Sequence, residues 1–313
     1  MEKKQLGNSD LHITRIGFGA WAIGGGDWEF GWGPQDDRQA IAAIRRAVEL
    51  GVNWIDTAAV YGLGHSEELV AEACKGLANK PYIFTKCSMV WGDDRKVTRS
   101  LAPDSIRREC EASLRRLKAD TIDLYQIHWP METGNEAGWE TLVRLKEEGK
   151  VRHIGVSNFN TAQLESISAI APVTSLQPVY SLVNPSVGTE ILPYCLEHNI
   201  GVIVYSPMGS GLLTGSMTRE RVANFPASDW RSRSRYFREP ELTRNLAIAE
   251  ALKVIGQRHG RSAGEVALAW TLLNPAVTGA IAGGRSAAQV EGVVGGAEVR
   301  LTAEDLAEIG AVA

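Results

Sequence analysis

The sequence predicts an α/β protein of the (β/α)8, or TIM, barrel class, and three observations support this prediction. Short apolar segments typical of strands alternate along the chain with amphipathic segments typical of helices. Eight such strand segments are present, which is the number that closes a parallel barrel. The chain of 313 residues has a suitable length, and no Gly/Ser-rich or Pro-rich linker divides it. We therefore expect one domain spanning residues 1–313.

The chain begins with a predicted β-hairpin that precedes the barrel. Two short segments of alternating polar and apolar residues flank "GNSD" at 7–10, whose composition is typical of a turn. The predicted barrel strands follow in chain order: TRIGFGAW (14–21), VNWIDTA (52–58), YIFTKCS (82–88), TIDLYQIHW (121–129), RHIGVSNF (152–159), VTSLQPVY (173–180), GVIVYSPM (201–208) and AVTGAIAGG (276–284). Strands that alternate with helices in this way form a parallel sheet covered by helices.

Two of the intervening segments show a helical face with particular clarity. In the segment 36–51 the face consists of Ile41, Ile44, Ala47 and Val48, and in 103–120 it consists of Ile106, Cys110, Ser113, Leu114 and Leu117. The main alternative is an open, doubly wound sheet, which should carry a G-x-G-x-x-G turn after an early strand. Neither "GFGAWA" nor "GGGDWE" completes that pattern, so the closed barrel is preferred.

Two long segments without strand character interrupt the alternation, at residues 23–35 and 208–239. Long loops in compact domains are usually functional, and loops that follow barrel strands lie at the carboxyl rim, where barrel enzymes have their active sites. The second loop contains "WRSRSRYFR", with Arg231, Arg233, Arg235 and Arg238 among aromatic residues. Two interpretations remain open: a solvated basic loop, or arginines that close over a cofactor pyrophosphate or an anionic substrate.

Composition and charge narrow the classes of function. The net charge of −4 gives no reason to expect nucleic acid or an anionic membrane as a partner, and no apolar segment is long enough to cross a bilayer. The four cysteines form no C-x-x-C pair and suit a reducing cytoplasm, where we expect the protein. The six histidines form no H-x-H or H-E-x-x-H cluster, so no metal is expected and a metal-dependent barrel hydrolase is disfavoured.

Ionisable side chains stand at the ends of three consecutive predicted strands. Asp56, Lys86 and His128 occupy these ends, and Tyr61 follows the first of them. Buried together they must pair, because isolated buried charges cost several kcal/mol. A lysine ammonium beside a phenol is expected to lower the phenol's pKa, a carboxylate would hold the lysine, and a histidine would bind a carbonyl oxygen. The group therefore predicts a site that protonates a carbonyl oxygen.

The whole chain resembles the aldo-keto reductases, which are barrel-shaped, NAD(P)H-dependent carbonyl reductases. The resemblance is carried, in order, by GFGAWAIGG, GVNWIDTAAVYGLGHSEE, IFTKC, DLYQIHWP, GKVRHIGVSNF, LQPVYS and YSPMGSGLLTG. It implies that Asp56, Tyr61, Lys86 and His128 form the family's catalytic tetrad, with Tyr61 as the general acid in reduction and the general base in oxidation.

The resemblance also implies where a nicotinamide cofactor binds. The implied contacts are Ser157, Asn158 and Gln177 to the carboxamide, Tyr205 stacked on the ring, and Ser206, Gly211, Leu213, Gly283, Gly284, Arg285 and Gln289. The alternative for Ser157 and Asn158 is that they cap the following helix. An arginine suits a 2′-phosphate, so NADPH is expected in preference to NADH. Gly292 and Val293 stand where many members have Glu-Asn, which indicates a bacterial subgroup.

The expected function is NADPH-dependent reduction of an aldehyde or ketone to the alcohol. Trp21 and Trp129 are the predicted walls of the substrate pocket, with further candidates at Trp28, Trp32 and Trp91. Tryptophans stack on sugar faces, which favours a sugar-derived aldehyde or ketose, although core packing explains the tryptophans equally well. The expected assembly is a monomer or a weak homo-oligomer. The alternative function is a redox-sensing regulatory subunit that binds NADP(H) and turns over slowly.

Overall fold

The computed structural model describes residues 1–313 and confirms the predicted barrel. The strands are β1 (Lys3–Gln5), β2 (His12–Thr14), β3 (Ile16–Gly19), β4 (Trp54–Asp56), β5 (Tyr82–Cys87), β6 (Met89–Trp91), β7 (Val97–Arg99), β8 (Ile122–Ile127), β9 (Val151–Ser157), β10 (Ser175–Gln177), β11 (Gly201–Val204) and β12 (Val277–Gly283). Strands β3, β4, β5, β8, β9, β10, β11 and β12 pair in that order, and β12 closes the barrel on β3. All eight pairings are parallel. Each predicted strand is present, although several are shorter than the apolar segment that predicted them.

Helices separate the barrel strands and pack on the outside of the sheet. They are α1 (Asp37–Glu49), α2 (His65–Cys74), α3 (Pro103–Leu117), α4 (Asn135–Glu147), α5 (Thr161–Ser168), α6 (Ile191–Glu197), α7 (Arg219–Ala223), α8 (Glu241–His259), α9 (Ala263–Leu273), α10 (Ala287–Val294) and α11 (Ala303–Val312). The predicted face of α1 is shifted, because Ala40 and Ala43 are buried whereas Ile41 and Val48 are half-buried. None of these helices is long and apolar enough to cross a membrane.

The predicted hairpin closes the amino-terminal end of the barrel. Strands β1 and β2 pair antiparallel around the turn at 7–10, and Leu6, Leu11 and Ile13 are fully buried against side chains from the barrel interior. The indole of Trp54 donates to the Thr14 carbonyl oxygen at 2.9 Å. This end is thus filled by apolar side chains, and the candidate site lies at the opposite, carboxyl rim.

Gly17 shows why one barrel position requires glycine. A Cβ added at Gly17 would lie 2.1 Å from the indole of Trp54, far inside van der Waals contact. The absence of a side chain in β3 therefore allows the large Trp54 ring to fill the barrel interior, where protein cores are close-packed.

The two long rim segments meet above the carboxyl end of the barrel. The backbone of Trp32 forms a bridge with that of Asp229, and the Trp230 amide donates to the Gly31 carbonyl oxygen at 3.1 Å. The rings of Trp21 and Trp230 stack with centroids 5.0 Å apart, and Trp32 packs edge-on against Trp21 at 5.3 Å. The two segments thus form one covering layer, which we call the rim cover (residues 23–35 and 208–239).

Candidate active site

The structure brings the four predicted tetrad residues together at the carboxyl rim. Lys86 Nζ donates to Asp56 Oδ1 at 2.6 Å and to the Thr57 carbonyl oxygen at 2.8 Å. It also lies 3.4 Å from the Tyr61 hydroxyl. All three side chains are buried, with residue exposures of 1% for Lys86, 2% for Asp56 and 8% for Tyr61. A buried charge pair requires such close contacts, since they offset the loss of hydration.

The second oxygen of Asp56 connects the tetrad to the predicted nicotinamide contacts. Gln177 Nε2 donates to Asp56 Oδ2 at 2.7 Å, and Ser157 Oγ donates to the Gln177 carbonyl oxygen at 2.7 Å. Gln177 ends β10 and Ser157 ends the neighbouring strand β9, where the two residues are paired. The carboxylate is therefore held by Gln177 from β10 and by Lys86 from β5, which fixes its orientation.

His128 lies against the face of the tyrosine. The ring centroids of Tyr61 and His128 are 5.7 Å apart in an edge-on arrangement, and the backbone amide of His128 donates to the Cys87 carbonyl oxygen. Burial, followed by the charges of Lys86 and Arg99, holds the pKa of His128 well below its usual range. The imidazole is consequently neutral at pH 7 and keeps one N–H donor.

The expected lowering of the Tyr61 pKa by Lys86 is wrong. Burial and the negative charge of Asp56 raise the pKa of the phenol well above its ordinary value. The physical reason is geometric, since the lysine ammonium is 2.6 Å from Asp56 but 3.4 Å from the phenol oxygen. Tyr61 is therefore protonated at neutral pH, as a proton donor must be.

Burial acts in opposite directions on the two partners of the ion pair. It raises the pKa of Asp56 and lowers the pKa of Lys86, whereas their mutual contact opposes both shifts. Groups whose pKa values are displaced in this way are concentrated at functional sites.

A second set of polar contacts, which the sequence analysis did not identify, anchors the segment after Tyr61. Ser66 Oγ donates to the Ala20 carbonyl oxygen at 2.9 Å. Glu67 is fully buried and accepts from Thr85 Oγ1 at 2.6 Å and from Arg116 Nε at 2.7 Å. Helix α2 is thus tied to β5 directly beside Lys86. Ser66 and Glu67 both lie within "GHSEE", the end of a motif given above, but they become buried only when the barrel closes.

A cavity of about 410 Å³ opens next to Tyr61 and His128. Both predicted wall residues, Trp21 and Trp129, line it, together with Trp28, whereas Trp91 does not. Side chains from the rim cover complete the wall, among them Phe30, Trp230, Ser234, Tyr236 and Phe237. A concave wall that combines aromatic side chains with hydroxyl and amide groups is typical of a small-molecule site.

A second cavity, of about 390 Å³, extends from Tyr61 to the start of α10 and shares Trp21, Tyr205, Ser206 and Ser210 with the first. The predicted contacts that line it are Tyr205, Ser206, Gly211, Gly283, Gly284, Arg285 and Gln289. Two joined cavities suit an elongated dinucleotide. At the far end of the second cavity, a Cβ on Gly284 would approach the Val290 side chain to 2.8 Å, so this position favours glycine. The backbone beside the amino terminus of α10 is therefore not covered by a side chain at Gly284. Such a terminus suits a phosphate.

One predicted contact differs from expectation, and for Asn158 the alternative role as a helix cap is excluded. The side chain of Leu213 is fully buried and lines neither cavity. Asn158 does not cap the next helix, because α5 begins at Thr161 and is capped by Asn160. Asn158 instead donates from Nδ2 to the His128 carbonyl oxygen at 3.0 Å and accepts from the Tyr205 hydroxyl at 2.9 Å.

The side chain of Arg285 forms hydrogen bonds with residues of the rim cover. Its guanidinium donates to Gln35 Oε1 at 2.6 Å, to the Trp32 carbonyl oxygen at 3.3 Å and to the Pro34 carbonyl oxygen. A guanidinium has five N–H groups, so two remain free for another acceptor. Gln35 Nε2 donates in return to the Arg285 carbonyl oxygen at 3.1 Å, which makes the contact reciprocal.

The arginine-rich segment is only partly a solvated loop. Arg233, Arg235 and Arg238 are exposed, but Arg231 is buried at 8% exposure. It pairs with Asp229 at 2.6 Å and lies 4.5 Å from the Trp32 ring centroid. Arg231 also lines the second cavity, so it holds the rim cover together at the cavity wall.

Comparisons with known proteins agree with this geometry. Residues 15–313 match the family described as the Aldo/keto reductase family. The aldo-keto reductase YhdN of Bacillus subtilis is 35% identical over 100% of this chain and 93% of its own length. The NADH-specific methylglyoxal reductase of Escherichia coli is 33% identical, covering 97% of this chain and 96% of its own. The structure of the glycerol dehydrogenase AKR11B4 from Gluconobacter oxydans superposes with a TM-score of 0.90 at 36% identity, covering 99% and 94% of the two chains.

The barrel, the grouping of the four side chains beside two joined cavities, and sequence similarity over nearly the whole chain all point to one conclusion. The chain belongs to the aldo-keto reductase family and is an oxidoreductase of carbonyl compounds and alcohols.

Proposed function

We propose that the protein reduces an aldehyde or ketone to the alcohol with NADPH and that Tyr61 donates the proton. The observation that carries the proposal is the contact of Lys86 with both Asp56 and the Tyr61 hydroxyl, at 2.6 and 3.4 Å. A protonated phenol next to a buried ammonium can release its proton only toward a group in the adjoining cavity. A carbonyl oxygen in that cavity is such a group.

Each tetrad residue has a separate role in the proposed reaction. Reduced nicotinamide, when bound, supplies the hydride that the carbonyl carbon accepts. Tyr61 gives its proton to the carbonyl oxygen, and the Lys86 ammonium stabilises the phenolate that remains. Asp56 keeps Lys86 charged and in place. The neutral His128 donates a hydrogen bond to the carbonyl oxygen and orients it. Solvent then returns a proton to Tyr61.

The preference for NADPH rests on Arg285. Arg285 lines the second cavity and has two N–H groups without a protein acceptor, which supports a charge-assisted contact with a 2′-phosphate. Gly283, Gly284 and Gln289 would hold the adjoining part of the cofactor, and Ser157, Asn158, Gln177 and Tyr205 its nicotinamide. The Escherichia coli relative bears the name of an NADH-specific enzyme, so both cofactors belong in the test.

The experiment is loss of absorbance at the NADPH band with a panel of aldehydes, 2-oxoaldehydes and keto sugars, repeated with NADH. We expect turnover of several panel members and a higher kcat/KM with NADPH. A higher kcat/KM with NADH would overturn the cofactor assignment alone. Tight cofactor binding without turnover of any panel member would overturn the enzymatic proposal and favour a redox-sensing subunit.

A further inference from the structure

Arg99 is the one formally charged side chain in the wall of the catalytic cavity. It is the last residue of β7, in the small β6–β7 hairpin between β5 and α3 at the barrel rim. The other lining residues include the neutral His128, aromatic and aliphatic side chains, hydroxyls and amides, but no aspartate, glutamate or lysine. The Asp56–Lys86 pair lies outside this lining, so its charges do not compensate Arg99 there.

Arg99 has no acidic partner in the protein. No carboxylate lies within 4.0 Å of its guanidinium, and its side chain donates no hydrogen bond to any protein acceptor. The other arginine of the hairpin, Arg95, behaves differently, since it donates to the Asp27 carbonyl oxygen at 2.7 Å. Arg99 therefore keeps all five of its N–H groups available for a ligand.

The position of the Arg99 guanidinium is set by an aromatic contact within the cavity. It lies over the ring of Trp129, 5.0 Å from the centroid, and Trp129 lines the same cavity next to His128. Such a cation–π contact holds the guanidinium over the ring and leaves its N–H edge free. The charge of Arg99 is also near enough to contribute to the lowered pKa of His128, after burial and Lys86.

We propose that Arg99 binds an anionic group of the substrate, so that the preferred substrates are aldehydes or ketones that carry a carboxylate or a phosphate. This inference rests on the proposed carbonyl reduction and names the substrate class of that site. The free fork of a guanidinium matches a carboxylate or phosphate oxygen pair. Arg99 is exposed at the edge of the cavity, where the anionic end of the substrate would enter, while the carbonyl end of the substrate reaches Tyr61 and His128.

The test uses matched pairs of substrates that differ only in the anionic group. One pair is 4-oxobutanoate and its methyl ester, and the other is glycolaldehyde phosphate and glycolaldehyde. We expect the native enzyme to have a higher kcat/KM for the anionic member than for the neutral member of at least one pair. The pair that shows this difference tells whether the preferred anionic group is a carboxylate or a phosphate. In Arg99→Met the ratio of anionic to neutral kcat/KM should fall about three- to fivefold, because an ion pair at a solvent-exposed position is lost.

Arg108→Met is the matched control, since Arg108 is an exposed arginine of α3 that lines neither cavity. It removes the same charge and should leave the ratio unchanged. Arg99→Lys should restore part of the ratio, and the change should appear in KM rather than in kcat. Butanedioate should inhibit the native enzyme competitively, and this inhibition should weaken in Arg99→Met.

The outcomes separate this inference from the proposed function. The assignment of Arg99 is overturned if the neutral members are reduced but the ratio of anionic to neutral kcat/KM is near one for both pairs. It is also overturned if Arg99→Met leaves a high ratio unchanged. In both cases the proposed carbonyl reduction stands. If no member of either pair is reduced with either cofactor, the proposed function itself fails.

Discussion

Lys86 holds the site together because its ammonium has three oxygen neighbours and no access to water. Removing it leaves the Asp56 carboxylate buried with Gln177 as its remaining polar side-chain partner. We predict that Lys86→Met lowers the free energy of unfolding by about 3–5 kcal/mol, the usual result of breaking one half of a buried ion pair. Urea unfolding measures this, and the double variant Asp56→Asn/Lys86→Met should recover part of the loss. A single variant as stable as the native protein would contradict the buried pair.

Arg285 makes two kinds of contact that mutation can separate. Arg285→Ala removes both the hydrogen bonds to the rim cover and the candidate phosphate contact. Gln35→Ala keeps the guanidinium of Arg285 and removes only its hydrogen bonds with the Gln35 side chain. We predict that the ratio of kcat/KM for NADPH to that for NADH falls about tenfold or more in Arg285→Ala, because a charge-assisted hydrogen bond is lost. Gln35→Ala should keep the ratio. Equal loss of the ratio in both variants would show that Arg285 acts only through the rim cover.

At the scale of elements, α3 carries a carboxyl group whose ionisation opposes folding. Burial raises the pKa of Glu109 to about 7 from 4.5, although Glu109 accepts from the Ser88 amide at 2.8 Å. A carboxyl whose pKa is higher in the folded than in the unfolded state contributes stability at pH values below 4.5, and that stability is lost as the pH rises toward 7.

We therefore predict that Glu109→Gln reduces the loss of stability between pH 5 and pH 8. An amide carries no charge at either pH, so the part of the pH dependence due to Glu109 disappears. The measurement is the difference in unfolding free energy between the two pH values, compared between variant and native protein. An identical pH dependence in the two proteins would show that Glu109 is ionised in the folded state as readily as in the unfolded state.

At the scale of the whole molecule, the rim cover joins segments almost 200 residues apart in sequence through the edge-on contact of Trp32 with Trp230, and both rings also pack on Trp21. We predict that Trp230→Ala increases limited proteolysis in both 23–35 and 208–239, because each segment loses its aromatic partner in the other and opens more readily. Mass spectrometry of the fragments identifies the sites. Cleavage confined to 208–239 would show that the two segments open independently.

The barrel and the positions of the tetrad could be predicted because both depend on local patterns. Eight apolar segments mark the strands, and Asp56, Lys86 and His128 each stand at a strand end, where parallel strands meet. The other features of the site depend on contacts between segments that are distant in sequence, and these contacts form only when the barrel closes. The burial of Arg231 requires Asp229 and an aromatic ring from the other rim segment. The place of Arg99 in the cavity wall depends on a short hairpin that no apolar periodicity marks.

If Tyr61 donates the proton to the carbonyl oxygen, the substitution Tyr61→Phe should abolish most of the activity. This change removes one hydroxyl oxygen and keeps the ring that packs on Trp21 and His128. With a substrate that the native enzyme reduces, we predict a fall in kcat of about 10²- to 10⁴-fold, the range for loss of general acid catalysis. Cofactor affinity, followed by quenching of tryptophan fluorescence, should change little. A variant that retains kcat within about threefold of native, well below that range, would contradict proton donation by Tyr61.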